Sequence, residues 1–371
     1  MEKLKPRFLI LFVIFGMFAA MPAYAESLFD YIVEPVIIDD RNWIIHEPLD
    51  WSPDGNSILF RIWIEKDSEI RYTSLVLISP DGIIQKELRL GLQITGVDHA
   101  QIAPTNDMVH ILDNGKIYRY VLATDEIVLL NTEGNNARYF DYYLYSEENP
   151  LLYDIVYSIE NVESDSDDPN SQYILLAMPE EFGRDSSTAP SERLSSLETP
   201  SFQFSPDGKK ILFAKTLEVG NSLMHKVPAY VEAQDYGPHI IPNVNLNCSN
   251  NLKWSPNGEI IVYQDKMCGR GISSGFMGLV SLDGYNEKLI PKEDSTSYPR
   301  AFVISPDGSV IVYVTSTITS NEVILPSTIE SVVVYKMILA KPIPEFESIA
   351  MMILVLSALP IVLLRKHMVL K

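Results

Sequence analysis

Three groups of residues in this chain have types and spacings that could do chemistry. Gly271-Ile272-Ser273-Ser274-Gly275 has the G-x-S-x-G spacing of a nucleophile elbow, the sharp turn that presents a serine for acyl transfer. That elbow needs a strand-to-helix turn in an α/β domain, whereas strand-like apolar runs flank this pentapeptide, so a flexible loop is expected instead of a catalytic serine. Asp165, Asp167 and Asp168 stand within Glu163-Ser164-Asp165-Ser166-Asp167-Asp168, and several carboxylates in one loop suit a hard cation such as calcium. The segment lacks the glycine turn and closing glutamate of an EF-hand, and a solvated acidic loop is the alternative. His46, His99, His110, His225 and His239 share no ligand spacing and are expected as surface or strand residues.

Cys248 and Cys268 are the only cysteines, and they flank Ser255-Pro256-Asn257-Gly258 with their midpoint at residue 258. Positions equidistant from a hairpin turn face each other across an antiparallel pair, so a disulfide is expected. Closing a loop of about 20 residues would contribute roughly 3 kcal/mol. Two free thiols are the alternative. Asn247-Cys248-Ser249 is formally a glycosylation sequon, but beside a bridged cysteine it is a poor acceptor.

The elements that must position these residues come from a repeat. Ser52-Pro53-Asp54-Gly55, Ser205-Pro206-Asp207-Gly208, Ser255-Pro256-Asn257-Gly258 and Ser305-Pro306-Asp307-Gly308 have serines 153, 50 and 50 residues apart. A degenerate copy, Ala103-Pro104-Thr105-Asn106, lies 51 residues after Ser52, and a worn copy is expected near Leu151 to Tyr157. Proline presets the second position of a type I turn, Asp or Asn suits the third, and glycine closes a bulged hairpin. Apolar strands enter and leave each turn, as in Phe202-Gln203-Phe204 and Ile211-Leu212-Phe213. A second hairpin follows in most units, at Asp81-Gly82 and Asp283-Gly284, giving four strands per unit.

Six four-stranded units, none able to bury its faces alone, predict an all-β fold, a six-bladed β-propeller. The W/F-S-P-D-G-x-x-I-x-F phrase resembles the repeats of TolB-type six-bladed propellers over residues 33 to 340. The strand-like Tyr31 to Ile38 is expected to join Ser331 to Met337 in the last blade. Residues 160 to 200, rich in Ser, Asp, Glu and Pro, are expected as long loops of the fourth blade with one strand-like island at Tyr173 to Met178.

The ends point to export. Residues 1–25 carry Lys3, Lys5 and Arg7, then an apolar run from Phe8 to Ala20, then Ala23-Tyr24-Ala25, the layout of a cleaved signal peptide. Residues 26–340 would form the propeller, 341–348 a proline-containing linker, 349–364 a charge-free transmembrane helix and 365–371 a basic cytoplasmic tail. Pro344-Glu345-Phe346, then an apolar helix, then a basic cluster resembles the PEF-type C-terminal sorting signals of archaeal surface proteins. That resemblance implies processing by an archaeosortase-like enzyme.

Composition narrows the function. The chain has 371 residues and a formal charge of -20; removing a +2 leader and a +3 tail leaves -25 on the body. A surface so acidic repels phosphate backbones, which excludes nucleic acid as a partner. The expected function is a non-enzymatic, membrane-anchored cell-surface binding or envelope module for an unknown protein or glycan, with no cofactor unless calcium. The alternative is an exported propeller enzyme, a metal-dependent hydrolase or lyase, with its site at the central channel.

Overall fold

The computed structural model describes residues 31–36, 43–66, 69–91, 93–130, 136–144, 153–160, 173–179, 192–197, 199–219, 223–232, 238–246, 251–266, 275–289, 297–317 and 332–339. Every regular element among them is a strand. The repeated turns form as their residue types dictate. In Ser205-Pro206-Asp207-Gly208 the Gly208 N–H donates to the Ser205 carbonyl (2.8 Å). Ser205 Oγ donates to Asp207 Oδ1 (2.6 Å) and accepts from the Lys210 N–H (2.9 Å). Gly208 sits at φ 68, the left-handed region that a Cβ disfavours. In Ala103-Pro104-Thr105-Asn106, Asn106 takes the glycine's place at φ 63, as asparagine tolerates.

These turns join strands into four-stranded antiparallel sets. β1 (Tyr31–Pro35) is set aside by the chain, and β2 (Trp43–Trp51), β3 (Ile58–Lys66), β4 (Glu69–Ile78) and β5 (Ile84–Leu88) pair in order. The same order holds for β6 (His99–Ile102), β7 (Met108–Asp113), β8 (Lys116–Val121) and β9 (Glu126–Leu129). It holds again for β10 (Ala137–Leu144), β11 (Tyr153–Glu160), β12 (Tyr173–Pro179) and β13 (Glu192–Leu197). Next come β14 (Phe202–Phe204), β15 (Lys210–Val219), β16 (Leu223–Glu232) and β17 (His239–Ile240). They are followed by β18 (Leu252–Trp254), β19 (Ile260–Lys266), β20 (Gly275–Ser281) and β21 (Asn286–Leu289). These last two sets belong to one hydrogen-bonded sheet.

The remaining set breaks the order. β22 (Ser297–Ile304), β23 (Val310–Thr317) and β24 (Val332–Leu339) are completed by β1, with Tyr31 opposite Leu339 and Pro35 opposite Tyr335. The apolar cores lie between successive sets. One packs Leu59, Leu75 and Leu77 against Ala100, Val109 and Ile111, and another joins the two ends of the series through Phe60, Ile62, Val303 and Val312. The strands β2, β6, β10, β14, β18 and β22 all reach the wall of a single cavity. This is an all-β propeller arrangement: sheets stand radially, each burying its faces against its neighbours.

Two expectations are corrected. The worn repeat copy does not place a turn at Tyr153 to Tyr157, which belong to strand β11. A fixed pitch misplaces the turn because the spacing is uneven here: β10 ends at Leu144, 42 residues after β6 ends at Ile102, and β14 ends at Phe204, 60 residues further on. Within residues 160–200 the strand-like island at Tyr173 to Met178 is indeed a strand, β12, but it and the unforeseen strand Glu192–Leu197 are the two outer strands of the third set and not part of the fourth. The sequence Glu-Arg-Leu-Ser-Ser-Leu hides as a strand because an outermost strand needs one ladder and tolerates polar residues. The signal peptide, the linker, the transmembrane helix, Ser273 and both cysteines lie outside the described residues, among which no helix is long and apolar enough to cross a membrane.

Close packing yields a sharp test at Gly278 in β20. A Cβ there would stand 2.3 Å from Cζ of Tyr263, whose ring is 1% exposed and whose hydroxyl donates to Asn286 Oδ1 at 2.7 Å. Gly278→Ala is therefore expected to destabilise the fold by about 2 kcal/mol, read as a lower urea midpoint, since the ring has no room to yield. An unchanged midpoint would show that Tyr263 moves freely.

Candidate functional site

The innermost strand of each set has no neighbour on its channel side, so its outward N–H groups need acceptors from elsewhere. On β6, β14 and β18 a side chain from the preceding set meets that need. The channel wall is formed by Asp50, Gln101, Asp141, Gln203, Lys253 and Val303, followed by Trp51, Ile102, Tyr142, Phe204, Trp254 and Ile304. Asp50 Oδ2 accepts from the Ile102 N–H one set on (2.8 Å). Asp141 Oδ2 accepts from the Phe204 N–H (2.8 Å), and Gln203 Oε1 from the Trp254 N–H (2.7 Å). Gln101 Nε2 donates to Asp141 Oδ1 at 3.2 Å. This polar ring thus stitches β2 to β6, β6 to β10, β10 to β14 and β14 to β18.

The ring bounds a cavity of about 710 Å³ whose mouth is lipped by Pro53, Pro104, Pro206, Pro256 and Pro306. A second cavity of about 250 Å³ shares Gln203 and Lys253 with the first, and is lined by His99 and Tyr139. The His99 and Tyr139 rings stack with centroids 4.2 Å apart. The two cavities are neighbours across these shared residues.

Burial sets the charges here. It pushes the Asp50 carboxyl up to about 6, against the opposing pull of Lys253 and of the Ile102 N–H. It raises Asp141 as well, opposed by the Phe204 N–H and Lys253. Burial holds His99 well below its usual value, and the positive charges of Lys253 and Arg61 push the same way, so the ring is neutral at pH 7. Tyr139 is raised by burial and by the nearby Asp141 and Asp50. At the mouth the balance reverses. Burial would raise Asp54, but bonds from Ser52 and Asn56 outweigh it; in Asp307 the Ser305 hydroxyl is the main cause of the lowering.

Two ring atoms stand out. Gln101 Oε1 and His99 Nε2 are buried and make no hydrogen bond among the described residues. Both belong to β6, two positions apart, so both face the channel. Lys253 receives no hydrogen bond partner or ion pair for its ammonium among the described residues, although its charge acts on Asp50, Asp141 and His99.

Of the residues singled out from sequence, Asp165, Asp167, Asp168, Cys248, Cys268, Pro344, Glu345 and Phe346 lie outside the described residues. The five histidines do fall on strands: His110 is buried in β7 with Nδ1 2.7 Å from the Tyr142 hydroxyl, and His239 stacks on Tyr230 from an exposed position. Among the described residues no three of His, Cys, Asp and Glu gather as a metal-ligand set. The polar ring itself was not anticipated. Its signal was a polar residue at a constant offset two before the repeat serine, as in Asp50-Trp51-Ser52, Gln203-Phe204-Ser205 and Lys253-Trp254-Ser255.

No protein-family model matches the sequence, and no curated protein matches it. Among solved structures, a putative TolB from Agrobacterium tumefaciens is 15% identical with a TM-score of 0.44, covering 60% of this chain and 71% of that one. An oligogalacturonate lyase in complex with manganese is 11% identical, TM-score 0.46, covering 84% of this chain and 96% of the other. An oligogalacturonate lyase from Vibrio parahaemolyticus is 11% identical, TM-score 0.47, covering 84% and 98%.

Proposed function

We propose that the chain is an exported, membrane-anchored, six-bladed propeller of TolB type that acts as a non-enzymatic binding module, taking its ligand at the proline-lipped channel. One observation carries this reading. The polar groups that line the channel serve chiefly as acceptors for the inner strands, as Asp50, Asp141 and Gln203 do for Ile102, Phe204 and Trp254. Groups held in that way suit a preorganised recognition wall, in which a ligand meets fixed dipoles and a few open valences. The leader-like and tail-like ends support an outside location, and the PEF-type motif supports attachment at the surface.

The test is capture from the native envelope with the full-length chain in detergent, run at about 50 mM and about 300 mM salt with wild type and Lys253→Glu. A body of charge -25 attracts its partner at long range, so recovery of one envelope component should weaken at the higher salt. Reversal of the Lys253 charge should abolish it. Equal recovery by both proteins would move the binding surface away from the channel.

A further inference from the structure

We propose that the channel binds a small zwitterion of the amino-acid type, its ammonium on the acceptor wall formed by Asp50, Gln101 and Asp141 and its carboxylate on Lys253. This deepens the binding-module reading and rests on it. The cavity of about 710 Å³ falls within the range of about 300–1,000 Å³ usual for pockets that take small molecules.

The wall is two-signed. On β2, β6 and β10 it offers two carboxylates and, between them, the Gln101 amide oxygen, which is without a partner among the described residues in a side chain only 4% exposed. A buried acceptor left open carries the cost of its lost hydration, which a donor brought by a ligand would recover. Gln101 Nε2 already donates to Asp141, so the open atom is the oxygen and the missing group is a donor. From β18, Lys253 presents an ammonium without a hydrogen bond or ion pair among the described residues.

Singly charged ligands fit poorly. A simple cation would meet the charge of Lys253, which already acts on both channel carboxylates. A simple anion would meet Asp50, Asp141 and, at the mouth, Asp54. A neutral polyol would satisfy Gln101 and leave Lys253 unpaired. A molecule carrying both signs answers both walls, and the opposed charges fix its direction in the channel. The proline lip adds no competing donor, since proline has no N–H.

The experiment is calorimetric titration of the full-length chain in detergent at pH 7.5. The probes are glycine, glycylglycine and 4-aminobutyrate, which differ in charge separation, against propylamine, propionate and galactose. At least one zwitterion should bind at least tenfold more tightly than every other probe. Lys253→Met should weaken that zwitterion at least tenfold while leaving propylamine no weaker, and Gln101→Met should weaken it severalfold. Both variants must keep the parent's thermal midpoint; Lys253→Gln serves if the methionine variant does not. Propionate or galactose binding as tightly as the best zwitterion overturns the proposal, as does the absence of binding by all three zwitterions. Envelope capture that depends on Lys253, without any zwitterion binding, removes this inference and leaves the binding-module reading standing.

Discussion

Asp141→Leu is expected to lower the stability of the protein by about 3 kcal/mol at pH 7, because it leaves two buried donors unanswered at once. Asp141 is 7% exposed, and its two oxygens accept from the Phe204 N–H and the Gln101 amide. Leucine fills a similar volume and accepts nothing, so the loss reports the hydrogen bonds and not a cavity. Asp141→Asn supplies the contrast. Its one oxygen can still serve Phe204, and the Gln101 amide can turn its open oxygen toward the new amide N–H. Burial already disfavours the charged carboxylate, so removing the charge relieves a penalty while removing a bond. The asparagine variant should stay within about 1 kcal/mol of the parent by equilibrium urea unfolding. If the leucine variant matched the parent, the stitching between inner strands would be dispensable.

Between pH 4 and pH 6 the protein should lose about 2–3 kcal/mol of stability as pH rises, and Asp50→Asn should flatten that slope. Asp50 titrates near 6 when folded against an ordinary 3.8. In that window the folded chain holds a proton that the unfolded chain has released, so raising pH favours unfolding; above about 6 the effect is complete. Asp141 adds to it with the same sign. The turn carboxylates Asp207 and Asp307 act oppositely, because hydrogen bonds lower them, and their stabilisation is lost only as pH falls below the ordinary 3.8. Asparagine at 50 keeps an oxygen for the Ile102 N–H while removing the titration. Thermal midpoints of both proteins at pH 4 and pH 6.5 decide it, and parallel profiles would assign the pH dependence elsewhere.

The propeller arrangement was legible because its turns are local chemistry. Ser-Pro-Asp-Gly folds into a hydrogen-bonded turn wherever it stands, and its pitch counts the strands between. The pairing of β1 with β24 was legible too, since an orphan strand at each end of a closed repeat has one place to go. What escaped was what no local pattern encodes. Glu192–Leu197 has the composition of a loop and becomes a strand only because β12 offers it an edge. The polar ring escaped because Asp50, Gln101, Asp141, Gln203 and Lys253 lie roughly 40 to 60 residues apart and differ in type. Their shared place on the channel wall, and the acceptor role of Asp50, Asp141 and Gln203 among them, appear only when the inner strands converge and their N–H groups must find acceptors.

The pairing of Tyr31 with Leu339 also settles how this unit answers to mechanical tension. Its two ends leave from a single rung of the β1 and β24 ladder, side by side. A force drawing those ends apart loads one rung at a time and peels β1 like a zip, at low resistance, where a pull along the strands would load five rungs together. Once β1 has peeled, β24 becomes an open edge and the last set loses its fourth strand. Tugging on both ends is therefore the weak direction of this molecule, and a tether at one end alone spares it.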